Sequence, residues 1–193
     1  MLLISLLPAA GAAGQAADAR AITTPDTDSG NHVGDVSAAG PAQIGRPHPT
    51  LELDVIDGSL VNEARLAGHP FVVDFFATWC EPCHRALADL KAARAEAPAT
   101  ADLTIVLVDL SESPQVVSRW AARASLPPQA IVTLDRAGVA ARRWGAHRLP
   151  TTFLVDATGV VRHINRGWGP GYRARLSRWL LDLAPGGRSA QTR

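Results

Sequence analysis

The segment VVDFFATWCEPCH, residues 72–84, decides the fold and the chemistry of this chain. It begins inside a nearly continuous apolar run, residues 71–77, which has the length of one buried strand. It ends in a turn that holds both cysteines of the chain, Cys80 and Cys83, and an Ala/Leu/Arg-rich stretch with high helix propensity follows. We therefore expect a strand that leads through the cysteine pair directly into a helix over residues 82–96.

The position of the cysteines predicts different roles for them. Cys80 is expected at the helix N-terminus, where free N–H groups and the helix dipole stabilise a thiolate, so its pKa should lie below that of free cysteine. Cys83 lies one turn later and can attack a mixed disulfide to release the substrate. Pro82 suits the first turn of a helix, whereas the charge of Glu81 slightly opposes ionisation of the neighbouring thiol.

Asp74 is the only charged residue of the apolar run, six positions before Cys80. Because side chains alternate along a strand, Asp74 can point towards the helix that carries Cys83. A buried carboxylate there would have a raised pKa and could exchange a proton with Cys83. The alternative is an Asp74 that faces solvent on an edge strand.

Composition bounds the domain organisation and the class of partner. The chain has 193 residues and a formal net charge of +1, so nothing favours binding to nucleic acid.

The apolar N-terminus indicates a secretory signal that would direct the chain to the periplasm or another extracytoplasmic compartment, with or without a membrane tether. No Lys or Arg precedes its apolar run, so a disordered N-terminus is the alternative. We predict a signal or apolar segment over residues 1–17, a flexible linker over 18–43, one domain over 44–185 and a disordered tail over 186–193.

The rest of the domain alternates between strand and helix patterns. Strands are predicted over residues 51–56, 71–77, 103–110, 130–134, 151–156 and 160–165. Helices are predicted over residues 82–96, 114–124, 139–144 and 172–183. Turn signals at Asp57-Gly58 and at residues 157–159 indicate two hairpins. This order predicts an α/β fold of three layers, α/β/α, with a central mixed sheet and an N-terminal hairpin extension.

The cysteine segment and the later stretch LPTTFLVD, residues 149–156, resemble the thioredoxin-like fold, and more narrowly the extracytoplasmic TlpA/ResA-type thiol–disulfide oxidoreductases. The resemblance covers residues 44–183 and includes an inserted helix and strand over residues 113–134. It implies that Cys80 is the nucleophile, Cys83 the resolving cysteine and Pro150 a cis-proline that faces them. The neighbours of the site would be Trp79, Glu81, Pro82, His84, Leu149 and Thr151.

The sequence departs from the ResA-type pattern at several positions. ResA-type members have an acidic residue three positions after the second cysteine and a proline two positions further on, where this chain has Ala86 and Ala88. Asp74 corresponds to the acid of ordinary thioredoxins, whereas Glu81-Pro82 is the ResA-type choice. These differences leave open whether the substrate is apocytochrome c.

Residues 80–84 also match C-x-x-C-H, the motif for covalent haem attachment. The only methionine is Met1, which effectively excludes a His/Met ligand pair, although two histidines could still ligate. A haem site would leave Pro82 and the stretch over residues 149–151 unexplained. We therefore predict no haem and place His84 in the first turn of the helix.

Two other classes of site are disfavoured. Zinc needs about four ligands at tight spacing, and two cysteines with one adjacent histidine fall short, so we predict no metal and no other cofactor. A peroxiredoxin would need a threonine three residues before a lone peroxidatic cysteine, and position 77 is alanine.

We predict an enzyme, a thiol–disulfide oxidoreductase that reduces disulfides in extracytoplasmic proteins, with cytochrome c maturation as one option. Its partners would be protein thiols and disulfides and a membrane-embedded or soluble thiol donor, and the chain would be a monomer. The alternatives are an oxidase or isomerase of secreted proteins and a redox-inert binding domain. The inert domain is disfavoured because a disulfide across so short a loop stabilises little.

Overall fold

The structure is a computed structural model that describes residues 40–98 and 102–183. These residues all belong to one unit, Val36–Arg193. The predicted signal segment, most of the predicted linker and the predicted C-terminal tail lie outside the described residues. Among the residues described, no helix is long and apolar enough to cross a bilayer.

Seven strands and five helices form the described domain. The strands are β1 Leu53–Val55, β2 Leu60–Val61, β3 Phe71–Phe76, β4 Thr104–Leu110, β5 Ala130–Asp135, β6 Thr151–Val155 and β7 Val161–Arg166. The helices are α1 Glu63–Leu66, α2 Glu81–Ala95, α3 Pro114–Ala121, α4 Val139–Trp144 and α5 Tyr172–Leu183.

The strands form a single mixed sheet in the order β2-β1-β5-β4-β3-β6-β7. The three strands β3, β4 and β5 are parallel, and β6 pairs antiparallel with β3. The predicted mixed sheet is confirmed, and so are the hairpin extension of β1 and β2 and the inserted α3 and β5. Because β3 has neighbours on both sides, the alternative that places Asp74 on an edge strand is wrong.

Helices cover both faces of the sheet. One core contains the buried side chains of α2, α3 and α5 and the alternate β3 residues Val72 and Phe76. The second core, on the opposite face, contains the buried side chains of α1 and α4. It also contains the β3 residues Phe71, Val73 and Phe75, which alternate along the strand with those of the first core. Asp74 follows the alternation of Val72 and Phe76, so its side chain lies on the α2 face of β3.

Several helix boundaries agree with the sequence. Ser113 caps α3 by accepting a hydrogen bond from the Val116 N–H, and α4 ends at Gly145, whose φ is +72°. Helix α5 has the predicted range, whereas α3 ends three residues before the predicted position.

The first strand differs more from the prediction. It is shorter than residues 51–56 because the Leu51 N–H donates to the Glu63 carboxylate over 2.8 Å, and the backbone there does not join the sheet. No range was predicted for β2, the second strand of the predicted hairpin, and the short helix α1 was not predicted.

Candidate active site

The two cysteines form a disulfide at the start of α2. Their sulfur atoms are 2.02 Å apart and their Cα atoms 5.2 Å apart. Cys80 is the residue that precedes the helix, and its carbonyl accepts hydrogen bonds from the N–H groups of Cys83 and His84. The structure thus places Cys80 at the helix N-terminus, where the sequence predicts it and where a thiolate is stabilised.

The side chains around the disulfide form an exposed rim. Trp79 is 73% exposed, whereas Cys80 is 5% and Cys83 1% exposed. Glu81 and Pro82 are also exposed. A partner that reaches the sulfur atoms therefore meets Trp79 and the first turn of α2.

His84 is held on both of its ring nitrogens. Its Nε2 donates to the Thr78 carbonyl over 2.9 Å, and its Nδ1 lies 3.7 Å from the Glu81 carboxylate. The ring also stacks on Trp120, with centroids 6.1 Å apart. His84 therefore connects the first turn of α2 to the segment that precedes Cys80.

Asp74 is buried on the α2 face of β3, the face that also carries both cysteines. Its side chain is 1% exposed, and burial raises the pKa of Asp74 to about 7 although a hydrogen bond from Thr152 acts in the opposite direction. The Thr152 hydroxyl donates to Asp74 Oδ1 over 2.6 Å and lies 2.8 Å from the Tyr172 hydroxyl. Because Thr152 has one hydroxyl proton, Tyr172 is the donor in the second hydrogen bond.

The loop before β6 lies at the same edge of the sheet as the cysteine turn. Thr151 pairs with Phe75, one residue before the end of β3, and β6 runs antiparallel to β3. The preceding Leu149–Pro150 peptide bond is cis. The Pro150 carbonyl accepts a hydrogen bond from the Gly167 N–H, and the Thr151 hydroxyl donates to the Arg148 carbonyl. Leu149 is half-buried and packs against both cores.

Sequence reasoning missed four residues near the site. Thr152 and Tyr172 complete the hydrogen-bonded group around Asp74. Glu112 and Asp109 lie at the end of β4, and Glu112 binds Thr78. The only available signal was the position of two acidic residues directly at the end of a buried strand, an edge where parallel sheets bind ligands.

A groove lies between α2, α5 and the loop that precedes α5. It has a volume of about 630 Å³ and is lined by Trp168, Pro170 and Tyr172 together with polar residues of α2 and α5. Trp168 Nε1 donates to Asp89, and the Arg85 guanidinium lies 5.2 Å above the Trp168 ring. Residues 40–98 and 102–183 contain no group of His, Cys, Asp and Glu suited to a metal ion.

Known proteins resemble this chain in sequence and in structure. The family model described as the AhpC/TSA family matches residues 44–164. The thiol:disulfide interchange protein DsbE of Xylella fastidiosa is 27% identical over 128 residues, which are 65% of this chain and 62% of that relative. The thiol-disulfide oxidoreductase ResA of Bacillus thuringiensis is 23% identical over 144 residues, which are 74% of this chain and 80% of the relative.

A solved structure agrees with these relatives. The structure of a Chlorobium tepidum protein assigned as thiol:disulfide interchange protein DsbE matches with a TM-score of 0.65 at 25% identity, over 74% of this chain and 98% of the other. The comparisons confirm the predicted thioredoxin-like fold and the resemblance to TlpA/ResA-type proteins. The DsbE relative from Xylella fastidiosa is matched over less than two thirds of its length.

Proposed function

The chain belongs to the AhpC/TSA family, and we propose that it is a thiol–disulfide oxidoreductase that reduces protein disulfides with the Cys80–Cys83 couple. The observation that carries this proposal is the disulfide at the N-terminus of α2, which lies on the same face of the sheet as the buried Asp74. The names of the DsbE and ResA relatives support it. Ala77 argues against a peroxidase site of the peroxiredoxin type, which needs a threonine there.

The reaction begins with the reduced protein. The Cys80 thiolate attacks one sulfur of the substrate disulfide, so a Cys80–substrate disulfide forms and the other substrate sulfur leaves as a thiolate. Cys83 then loses its proton to the Asp74 carboxylate and attacks the Cys80 sulfur. The Cys80–Cys83 disulfide forms and the second substrate thiolate leaves. Two electrons pass from the protein dithiol to the substrate, and the released thiolates take up two protons.

The environments of the two sulfurs fit these roles. Both cysteines belong to the core on the α2 face, but Cys83 is 1% exposed whereas Cys80, which follows the exposed Trp79, is 5% exposed. A pKa of about 7 lets the Asp74 carboxyl accept a proton from Cys83 and return it near neutral pH. We propose Asp74 as the proton acceptor. Substrates would dock between two parts of the site, with Trp79 and Cys80 on one side and Leu149, Pro150 and Thr151 on the other.

The partners follow from this chemistry. Substrates are proteins with an accessible disulfide, and they dock over Trp79, Cys80 and the loop before β6. Turnover needs a second dithiol, soluble or membrane-embedded, that reduces the Cys80–Cys83 disulfide. We place the chain outside the cytoplasm because of its apolar N-terminal sequence. Apocytochrome c is one candidate substrate, since its haem-attachment site carries two cysteines that can form a disulfide.

Trapping of a mixed disulfide tests the function. A Cys83→Ser variant retains the nucleophile but cannot resolve the intermediate, so we expect it to accumulate a disulfide with insulin or with a peptide disulfide. The matched Cys80→Ser variant should trap nothing. If neither variant forms an adduct and the wild type does not reduce insulin, the chain is not a disulfide reductase.

The midpoint potential decides the direction of electron flow. We expect the Cys80–Cys83 couple to be clearly more reducing than glutathione. A potential near that of glutathione or above it would favour the second candidate function, an oxidase or isomerase of secreted proteins.

A further inference from the structure

Thr78, two residues before Cys80, is held on all three of its polar groups. The Glu112 carboxylate accepts the Thr78 N–H over 2.5 Å with one oxygen and the Thr78 hydroxyl over 2.7 Å with the other. On the opposite side, His84 Nε2 donates to the Thr78 carbonyl over 2.9 Å. The short segment between β3 and α2 is therefore fixed immediately before the nucleophile.

A second carboxyl group, that of Asp109, binds the backbone of Glu112. Asp109 is 1% exposed, and its Oδ1 accepts the Glu112 N–H over 3.2 Å. No donor among the described residues reaches the buried Asp109 Oδ2, so an ionised carboxylate would be unfavourable there, whereas a protonated one can share its proton with Glu112. Burial and the neighbouring Glu112 raise the pKa of Asp109 to about 8, so this group is protonated at neutral pH.

Glu112 keeps its negative charge in this arrangement. Partial burial opposes ionisation, but hydrogen bonds with Asp109 and Thr78 hold the pKa of Glu112 below its ordinary value. The pair therefore carries one proton, on Asp109, and one charge, on Glu112. Two other titratable groups lie on elements next to this pair. His84 of α2 faces Thr78, and Asp135 of β5 accepts a hydrogen bond from the Ala141 N–H of α4.

We propose that Glu112 is a positioning residue for Cys80, acting through its two hydrogen bonds to Thr78, with the proton of Asp109 keeping the Glu112 carboxylate in place. This inference rests on the proposed function of Cys80 as the nucleophile. Thr78 carries no reacting atom, but its backbone leads directly into the exposed Trp79 and Cys80. A segment fixed at Thr78 presents the Cys80 sulfur and the Trp79 side chain to a partner protein in one orientation.

Two rates measured on the reduced protein test the proposal, and they should move in opposite directions. Glu112→Ala frees the segment and removes a negative charge near the thiolate, so alkylation of Cys80 by iodoacetamide at pH 7 should become about threefold faster. Reduction of insulin should become about tenfold slower, because the orientation of Trp79 and Cys80 is lost. Glu112→Gln retains an oxygen that accepts from Thr78, so it should recover most of the insulin rate while alkylation stays fast.

Ser113→Ala is the matched control for these variants. It removes the cap of α3 next to Glu112 but leaves Thr78 untouched, so both rates should stay within about twofold of the wild type. Thr78→Val removes one of the two hydrogen bonds, and its effect should not add to that of Glu112→Ala. Additive effects, or Glu112 variants that change the rates no more than Ser113→Ala does, would overturn the proposal.

The amide resonance of Thr78 gives a readout that needs no substrate. In the oxidised protein it should shift with a midpoint near pH 8, as Asp109 loses its proton, and Asp109→Asn should abolish that transition. A Thr78 amide that does not respond to pH in this range would contradict the proposal even if Glu112→Ala fails to fold. If the wild type does not reduce insulin, the proposed function fails, whereas alkylation and the Thr78 amide still decide the role of Glu112.

Discussion

The hydroxyl of Thr152 donates a hydrogen bond to Asp74 Oδ1 over 2.6 Å, between directly paired residues of β3 and β6. Tyr172 donates in turn to Thr152, so three buried polar side chains from two strands and α5 form one hydrogen-bonded group. The group partly compensates the burial of the Asp74 carboxylate. Its arrangement leads to three predictions about Asp74 and Thr152.

Asp74→Asn should slow the resolution of the mixed disulfide by about a hundredfold at pH 7, because an amide cannot accept the proton of Cys83. The attack by Cys80 should be nearly unchanged, because Asp74 acts at the second step. A preformed disulfide between Cys80 and a fluorescent peptide gives the resolution rate directly, and iodoacetamide gives the reactivity of Cys80. Equal loss in both rates would contradict a role of Asp74 as the proton acceptor for Cys83.

Asp74 should also make stability depend on pH. Its pKa is about 7 in the folded protein, against 3.8 for an ordinary aspartate, so the folded state holds a proton that the unfolded state releases first. The contribution of Asp74 to stability is therefore complete below pH 4 and is lost as the pH rises towards 7, by about 4 kcal/mol in total. Asp109 adds a fall of the same sign up to about pH 8.

Urea unfolding of the oxidised protein between pH 4 and pH 8 measures this effect. As the pH rises from 4 to 7, the wild type should lose unfolding free energy that Asp74→Asn does not lose, so the variant should become more stable relative to the wild type. A difference that does not change over this range would show that Asp74 is ionised in the folded state at pH 4, which contradicts its burial.

Thr152→Val should raise the pKa of Asp74 further, because it removes the hydrogen bond that stabilises the carboxylate. The pH at which resolution reaches half of its maximal rate should then move upwards. Thr133→Val is the control, since Thr133 is also a buried threonine hydroxyl but donates to the Leu107 carbonyl on another strand pair. A shift of equal size in both variants would mean that Thr152 acts only through general stability.

The sequence predicted the part of the site that is local in the chain. Asp74 stood out as a charge within an apolar strand, and the cysteine pair stood out as a turn between that strand and a helix. The hydrogen-bond partners of Asp74 could not be recognised in the sequence, because Thr152 lies 78 residues away and only the register of β3 and β6 brings the two residues together. Glu112 and Thr78 meet for the same kind of reason, since parallel pairing of β3 and β4 aligns their ends.

The shortest elements and the shortening of β1 could not be predicted from the sequence pattern either. β2 has two residues and α1 has four, which is too few for a hydrophobic period to be visible. β1 is shortened by a hydrogen bond from the Leu51 backbone to a side chain twelve residues later. Helix α4, which ends before Gly145, and helix α5, which has an apolar stripe over twelve residues, were predicted with the correct ends.

Ala86→Glu should destabilise the protein by about 3–5 kcal/mol at pH 7, because it would introduce an unpaired carboxylate into the core that contains Cys83. Ala86 is 1% exposed, so an acidic residue of the ResA type has no access to solvent there. Ala88→Glu is the control on the same helix, because Ala88 is exposed and its variant should change stability by less than about 0.5 kcal/mol. Equal stability of both variants in urea would indicate a cavity or a cationic partner near Ala86.

Trp79→Ala should weaken the reaction with protein substrates and spare small disulfides. Trp79 is 73% exposed beside Cys80, and an exposed tryptophan that becomes buried on docking contributes about 2 kcal/mol to binding, which corresponds to about a thirtyfold change in kcat/KM. The measurement compares insulin with a small aromatic disulfide. Leu60→Ala is the control, since Leu60 is also an exposed apolar residue but lies on β2, at the opposite edge of the sheet from β6 and β7. If Trp79→Ala slows both disulfides equally, Trp79 acts on the Cys80 thiol itself and partners do not dock on its ring.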